Sequence, residues 1–207
     1  NSMKRSKITI LLAIVLGMTF HSCLDLEPQD QLGGKNMWTS VNDYKQFANT
    51  FYSWTRDFSS VVYDGTHSDK RSDLITYQSY NEFSRGINSI PSSDANYTDN
   101  YKHIRRTNLL IENAETYSKP EDIKQYLGEA YFFRAYSYFD LLQLYGDVII
   151  TKKPLDITDP EMKVKRNDRS EAVHLIIDDL NHAVENLPAF KELTTEEEGR
   201  ISKEGAQ

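Results

Sequence analysis

The stretch from Leu127 to Leu144 constrains this chain most. Leu127, Ala130, Tyr131, Phe132, Phe133, Ala135, Tyr138, Phe139, Leu141, Leu142 and Leu144 leave a helix only a thin polar strip. A helix that is apolar nearly all round must be covered on several sides, so it belongs at the centre of a multi-helix assembly. Ser118 with Glu121 has the spacing of a capping box, Pro120 suits a first turn and Gly146 supplies a C-terminal stop, which predicts a helix from about Pro120 to Tyr145. Gly128 costs that helix about 1 kcal/mol relative to Ala, a cost that makes sense if the preceding helix crosses closely there.

The flanking sequence supplies further helices. Thr39 or Ser40 can cap one in which Val41, Tyr44, Phe47, Ala48, Phe51 and Tyr52 recur at helical spacing, ending near Trp54 to Asp57. Phe58 to Asn100 lacks a long periodic run and is punctuated by Gly65, Gly86 and Pro91, so it reads as a loop-rich insertion, where function concentrates. Helical order returns at about Tyr101, through Ile104, Asn108 and Ile111 to Tyr117. Two antiparallel helices joined by a short turn at Ser118 to Pro120 form the unit of a helical repeat array. Val148, Ile149 and Ile150, with Pro154 and Pro160 after them, predict an extended, exposed connection. Asp168 or Ser170 then caps a helix whose buried face is Ala172, Val173, Leu175, Ile176, Leu180, Ala183, Val184 and Leu187, up to Pro188. The acidic stretch Thr194 to Gly199 reads as a solvated loop. With about four helices of consequence and no convincing sheet, the fold class is all-α.

At the N-terminus Lys4, Arg5 and Lys7 precede the apolar run Ile8 to Phe20, which is too short to span a bilayer and reads as an export signal over residues 1–22. Ser22 stands before Cys23, the only cysteine, in the arrangement of a bacterial lipoprotein box, where acylation would hold the protein at a membrane face. The competing reading makes Cys23 a stray thiol of an ordinary secretory signal or a buried helix. Residues 23–35, with Pro28 and the pair Gly33-Gly34, read as a lipidated tether, and residues 36–207 as one helical domain. The formal charge is -7, and becomes -10 without the three basic residues of the leader, which argues against nucleic acid as a partner. With one cysteine no intramolecular disulfide forms, so the core alone must stabilise the fold.

Arg134, on a mostly apolar helix, is best explained by a buried ion pair with a carboxylate of another helix, Glu112 or Asp179. His174, Asp178 and His182 fall at i, i+4 and i+8 but have no further ligand, and read as a solvated face. Asp94, Asn96 and Thr98 resemble the start of a calcium loop, yet Asp99 stands where Gly is required and Arg105 at the twelfth position, which rules the loop out. There is no phosphate loop, G-x-S-x-G elbow or zinc-protease motif. Nothing singles out a catalytic carboxylate pair among the 31 acids. We read no enzyme, no cofactor and no metal.

Tyr101, Ile104, Asn108 and Leu110 to Asn113 resemble the Y-x-x-I-x-x-x-N helix of the SusD/RagB family of outer-membrane nutrient-binding lipoproteins. Gly128 to Leu141, containing Arg134 and Ala135, resembles that family's hallmark helix, and Tyr145-Gly146-Asp147-Val148 its terminator. Arg169 through Asp179-Leu180 to Leu187-Pro188 is similar to the next family helix, and Gly199-Arg200-Ile201-Ser202-Lys203 to the lead into another. Ile149 departs from the family's usual proline. Asp25 and Glu27 resemble the acidic residues that follow the lipidated cysteine in surface-exported lipoproteins of the Bacteroides group.

The resemblance implies the N-terminal part of a SusD-like fold, truncated relative to a longer family product: tetratricopeptide-like helix pairs lying as a lid on a SusC-like TonB-dependent transporter. It implies capture of an oligosaccharide or polysaccharide, or for some members a peptide, without covalent chemistry, on the outer membrane. By analogy the glycan contacts fall to Asp69, Arg71, Asp73, Tyr77, Tyr80 and Asn81, with Arg71 and Asp73 hydrogen-bonding and Tyr77 or Tyr80 stacking. Sugar rings stack on aromatics while charged and amide side chains satisfy their hydroxyls. The bland alternative packs these aromatics on the helices and leaves the acids to turns. At the level of function the alternative is a scaffold lipoprotein whose helices bind a protein and no glycan, with a glycoside hydrolase a distant third.

Overall fold

The computed structural model describes residues 37–55, 86, 87, 89–155 and 158–207. The leader, Cys23 and the tether through residue 35 lie outside these residues, as does the whole of 56–85.

Helix α1, Val41–Asn49, begins at a reciprocal cap. The Asp43 amide donates to Ser40 Oγ at 3.3 Å, and the Ser40 amide donates to Asp43 Oδ2 at 2.8 Å. A 3₁₀ turn, Thr50–Trp54, continues it. Helix α2 spans Ala95–Ala114, α3 Lys124–Tyr145 and α4 Arg169–Asn186, with a last short helix α5 at Lys203–Ala206. Among the described residues there is no strand, only an isolated antiparallel bridge between Val148 and Asn167.

α3 occupies the centre. Its first half, with Tyr126, Ala130 and Phe133, packs on Tyr44, Phe47 and Phe51 of the N-terminal helix and turn and on Leu110, Ile111 and Ala114 of α2. Its second half, with Ala135, Tyr138, Leu141 and Leu142, packs on Ile104 of α2 and on Ala172, Leu175 and Ile176 of α4. The start of α2 thus meets the end of α3, and α4 returns along α3 in the opposite sense. These are two overlapping antiparallel helix pairs, the repeat arrangement that the sequence predicts.

Several expectations need correction. α2 starts at Ala95, well before Tyr101, because Asp94 caps it: its Oδ1 accepts from the Asn96 amide at 2.9 Å, while the Thr98 hydroxyl donates to the Asp94 carbonyl at 2.9 Å. The Asp-x-Asn-x-Thr pattern is a helix start. Ser118 does not cap the central helix; entry is through a 3₁₀ turn, Pro120–Ile123, with proline in its first turn and no side-chain cap. The close neighbour of Gly128 is the end of α4, not the preceding helix. A Cβ there would lie 3.0 Å from Leu187 Cγ and 3.1 Å from both Asn186 Cβ and the Leu187 amide nitrogen. Gly146 does stop α3, at φ 70° with its amide donating to the Leu142 carbonyl. Asp168 caps α4 as expected, accepting from the Ser170 amide at 2.8 Å.

The run after Gly146 is extended, but its head is buried, not exposed. Val148 is fully enclosed by α3 and α4, and Ile149 and Ile150 are half-buried.

Candidate functional site

The predicted glycan residues Asp69, Arg71, Asp73, Tyr77, Tyr80 and Asn81 fall within 56–85, outside the described residues, as does the predicted lipidation site Cys23. What the structure does place is the frame to which 56–85 is joined. Thr55, the described residue before that segment, lines an open cleft of about 780 Å³ with Tyr52, Phe132, Phe133, Tyr136 and Arg200. Next to it Trp54 stacks on His103 of α2, with ring centroids 4.1 Å apart and planes 14° apart.

Arg134 pairs with Asp179, as the sequence suggests, while Glu112 is exposed. Nε and Nη2 of Arg134 donate to the two Asp179 oxygens at 2.8 and 2.6 Å, and Nη1 donates to Asn108 Oδ1 at 2.8 Å. Burial works against the charge on Arg134, but the Asp179 carboxylate more than offsets it and holds the guanidinium above its usual value.

Asn108 turns this network toward the backbone. Its amide donates to the carbonyls of Thr151 and Lys153 at 3.0 and 3.1 Å. The Tyr101 hydroxyl accepts from the Ile149 amide at 2.9 Å and donates to the Ile149 carbonyl at 3.0 Å. The Tyr138 hydroxyl does the same for Thr151, at 2.8 and 3.1 Å. Asn167 completes the set, its backbone N–H donating to the Val148 carbonyl at 2.7 Å and its side-chain Oδ1 accepting from the Ile150 amide at 3.0 Å. An extended segment with no strand beside it must find partners for every buried amide and carbonyl. Here two phenols and two carboxamides stand in for that strand. Burial pushes both phenols above the usual tyrosine range, which keeps them neutral donors and acceptors. Tyr101, Asn108, Arg134 and Tyr138 therefore serve as the scaffold of this segment.

A second buried pair was not read from the sequence. Arg200 Nε and Nη2 donate to Glu129 at 2.8 and 2.7 Å, and Nη1 donates to Asn49 of α1. Glu129 is fully buried; burial pushes its carboxyl upward against the pull of Arg200. The Gly-Arg-x-Ser-Lys spacing was the available signal: Arg200 ties the segment to α1 and α3, and Ser202 caps α5. His174, Asp178 and His182 are exposed, and no cluster of metal-binding side chains occurs among the described residues.

Residues 24–205 match the family model described as "Starch-binding associating with outer membrane", SusD-like. The chain belongs to the SusD-like family. It is similar to the SusD-like protein P38 of Formosa agariphila, 28% identical over 204 residues that cover 89% of this chain and 38% of the relative. SusD-like protein P2 of the same organism is 27% identical and matched over 39% of its length, so the chain spans about two fifths of these curated relatives. A SusD-like protein from Bacteroides fragilis shares 25% identity, with a TM-score of 0.67 over 86% of this chain and 35% of that one. A structure described as a laminarin-binding SusD-like protein shares 28% identity, with a TM-score of 0.53 over 61% of this chain and 27% of that one. The family is one of carbohydrate-binding proteins associated with the outer membrane. Among the described residues no helix is long and apolar enough to cross a membrane.

Proposed function

We propose that this chain is part of a surface-exposed lipoprotein that captures an oligosaccharide and delivers it to a SusC-like TonB-dependent barrel, without catalysing a reaction. The family match across residues 24–205, on a fold of antiparallel helix pairs, carries the reading. The laminarin-binding relative supports a glycan as the ligand class. In this reading residues 1–22 are an export signal, Cys23 is lipidated at the outer membrane, and 23–35 tether the helical domain 36–207 above it.

Asp69, Arg71, Asp73, Tyr77, Tyr80 and Asn81 supply the glycan contacts: an aromatic face for the apolar side of a ring, and charged and carboxamide groups for its hydroxyls. The rigid anchorage of Thr50–Trp54, through Phe51 in the core and Trp54 on His103, supports a loop held at a fixed root.

Affinity electrophoresis against neutral plant, host and microbial polysaccharides tests the proposal. Retardation by at least one polysaccharide, reduced by Tyr77→Ala or Tyr80→Ala, is the expected result. Capture of a barrel transporter with no retardation by any polysaccharide would replace glycan binding with protein scaffolding.

A further inference from the structure

After α4 the chain leaves one place and returns to it. The Phe190 amide donates to Glu204 Oε2 at 2.8 Å, and the Lys203 amide donates to the Pro188 carbonyl at 2.8 Å. The residues between these two bonds form a surface loop whose ends meet at a common root, the arrangement of an Ω-loop. The root is packed: Ala206 of α5 is buried with Ala183 and Leu187 at the end of α4, and Ile201 lies against them. Bonds within the loop make it one body, since Glu192 Oε2 accepts from the Ala189 amide at 3.0 Å and Glu197 Oε2 from the Thr194 hydroxyl at 3.1 Å.

Beyond its root the loop has little to hold it. No side chain from Pro188 to Ile201 is buried, and segments without buried contacts open at a lower free energy than the core. Among the described residues, its hydrogen bonds to α1, to the turn after α1 and to α3 converge on two adjacent residues. Arg200 donates to Glu129 and Asn49, and the Ile201 amide donates to the Tyr52 hydroxyl at 3.1 Å. The Arg200 guanidinium also covers the Tyr52 and Tyr126 rings, 5.3 Å from each centroid. Gly199, at φ 92°, makes the turn that delivers it. Gly199, Arg200 and Ile201 line the cleft beside Thr55 together with Tyr52, Phe132 and Tyr136.

We propose that this loop is a movable wall of that cleft: Lys191 to Arg200 lift as a unit from the Pro188–Lys203 root, with Arg200 as the clasp, while α5 stays docked on α4. Lifting widens the cleft and uncovers the Tyr52 and Tyr126 rings. The inference goes beyond the glycan reading and does not depend on it.

Amide hydrogen exchange of the full chain, followed at urea concentrations below the unfolding transition, tests it. Protection at Ile201 should be at least about tenfold lower than at Lys203 in the root and at Leu141 in α3. It should also be nearly independent of urea, because a local opening exposes little surface. Arg200→Met should lower protection at Ile201 by a further tenfold or so, and Arg200→Lys, which keeps the charge without the fork, by less. Equal protection and equal urea dependence at Ile201 and Leu141 would mean that the loop opens only with the whole fold, and overturns the proposal. Ile201 protection that Arg200→Met leaves unchanged overturns it as well.

Discussion

The two buried ion pairs of α3 join the same helix to its surroundings in opposite ways. Arg134 and Asp179 lie on two long helices and expose 6% and 2% of their side chains, and Arg134 also donates to Asn108. Glu129 exposes none of its side chain, yet its partner Arg200 comes from a loop, exposes 11%, and spreads over the rings of Tyr52 and Tyr126 at 5.3 Å. The first pair is internal to the helix stack. The second fastens a later segment to a finished surface. A helix apolar nearly all round carries little information about which side should face which neighbour, and these polar partners supply it.

The comparison yields a graded series of tests. Arg134→Met strands the Asp179 carboxylate and an Asn108 oxygen inside the stack, and should cost about 3–5 kcal/mol in urea unfolding. Adding Asp179→Leu should recover much of that loss, because no buried charge then remains unpaired. Arg200→Met should cost less, about 2 kcal/mol, because Arg200 comes from a loop and is the more exposed of the two arginines. An equal cost at the two arginines would erase the distinction.

The Arg200→Met penalty should also depend on pH. Burial raises the Glu129 carboxyl, and without Arg200 nothing of comparable strength opposes it. The folded state then holds a proton that the unfolded chain releases, so stability should rise as pH is lowered from about 7 towards about 5. A penalty constant over that interval would mean that Glu129 gains solvent when Arg200 is removed.

The smallest effect concerns the root of segment 56–85. Burial, with a lesser push from Arg106 and Lys102, holds His103 below its ordinary 6.5, against the pull of Asp99. The unfolded chain therefore takes up this proton first as pH falls, and stability should be lost from about pH 6.5 downward. His103→Gln should flatten that part of the Tm profile, and an unchanged slope would assign the loss to other groups.

Much of this architecture was legible in the residues. The dense apolar run Leu127 to Leu144 required a central helix, and a lone arginine on it required a carboxylate of another helix, Glu112 or Asp179, of which the structure pairs Asp179. Contact directions were harder to read. Gly128 pointed to a close neighbour but not to which one, since an all-round apolar helix offers no preferred face, and the end of α4 takes the place expected of α2. Val148 to Ile150 looked exposed because sequence spacing does not reveal side chains 48 residues away, such as Tyr101, that replace a missing strand. Glu129 and Arg200 are 71 residues apart and form no local pattern. The predicted glycan residues between Asp69 and Asn81 lie outside the described residues, and their reading rests on the family resemblance.

The account's central claim is that the polar members of the family motif hold up the backbone of residues 149–153. Amide hydrogen exchange at Ile149 and Thr151 tests it most directly, since each amide donates to one phenol. Both should be protected in the native chain. Tyr101→Phe should speed exchange at Ile149 and leave Thr151 slow, while Tyr138→Phe should do the reverse. Unprotected amides in the native chain, or variants that leave both rates unchanged, would contradict the claim.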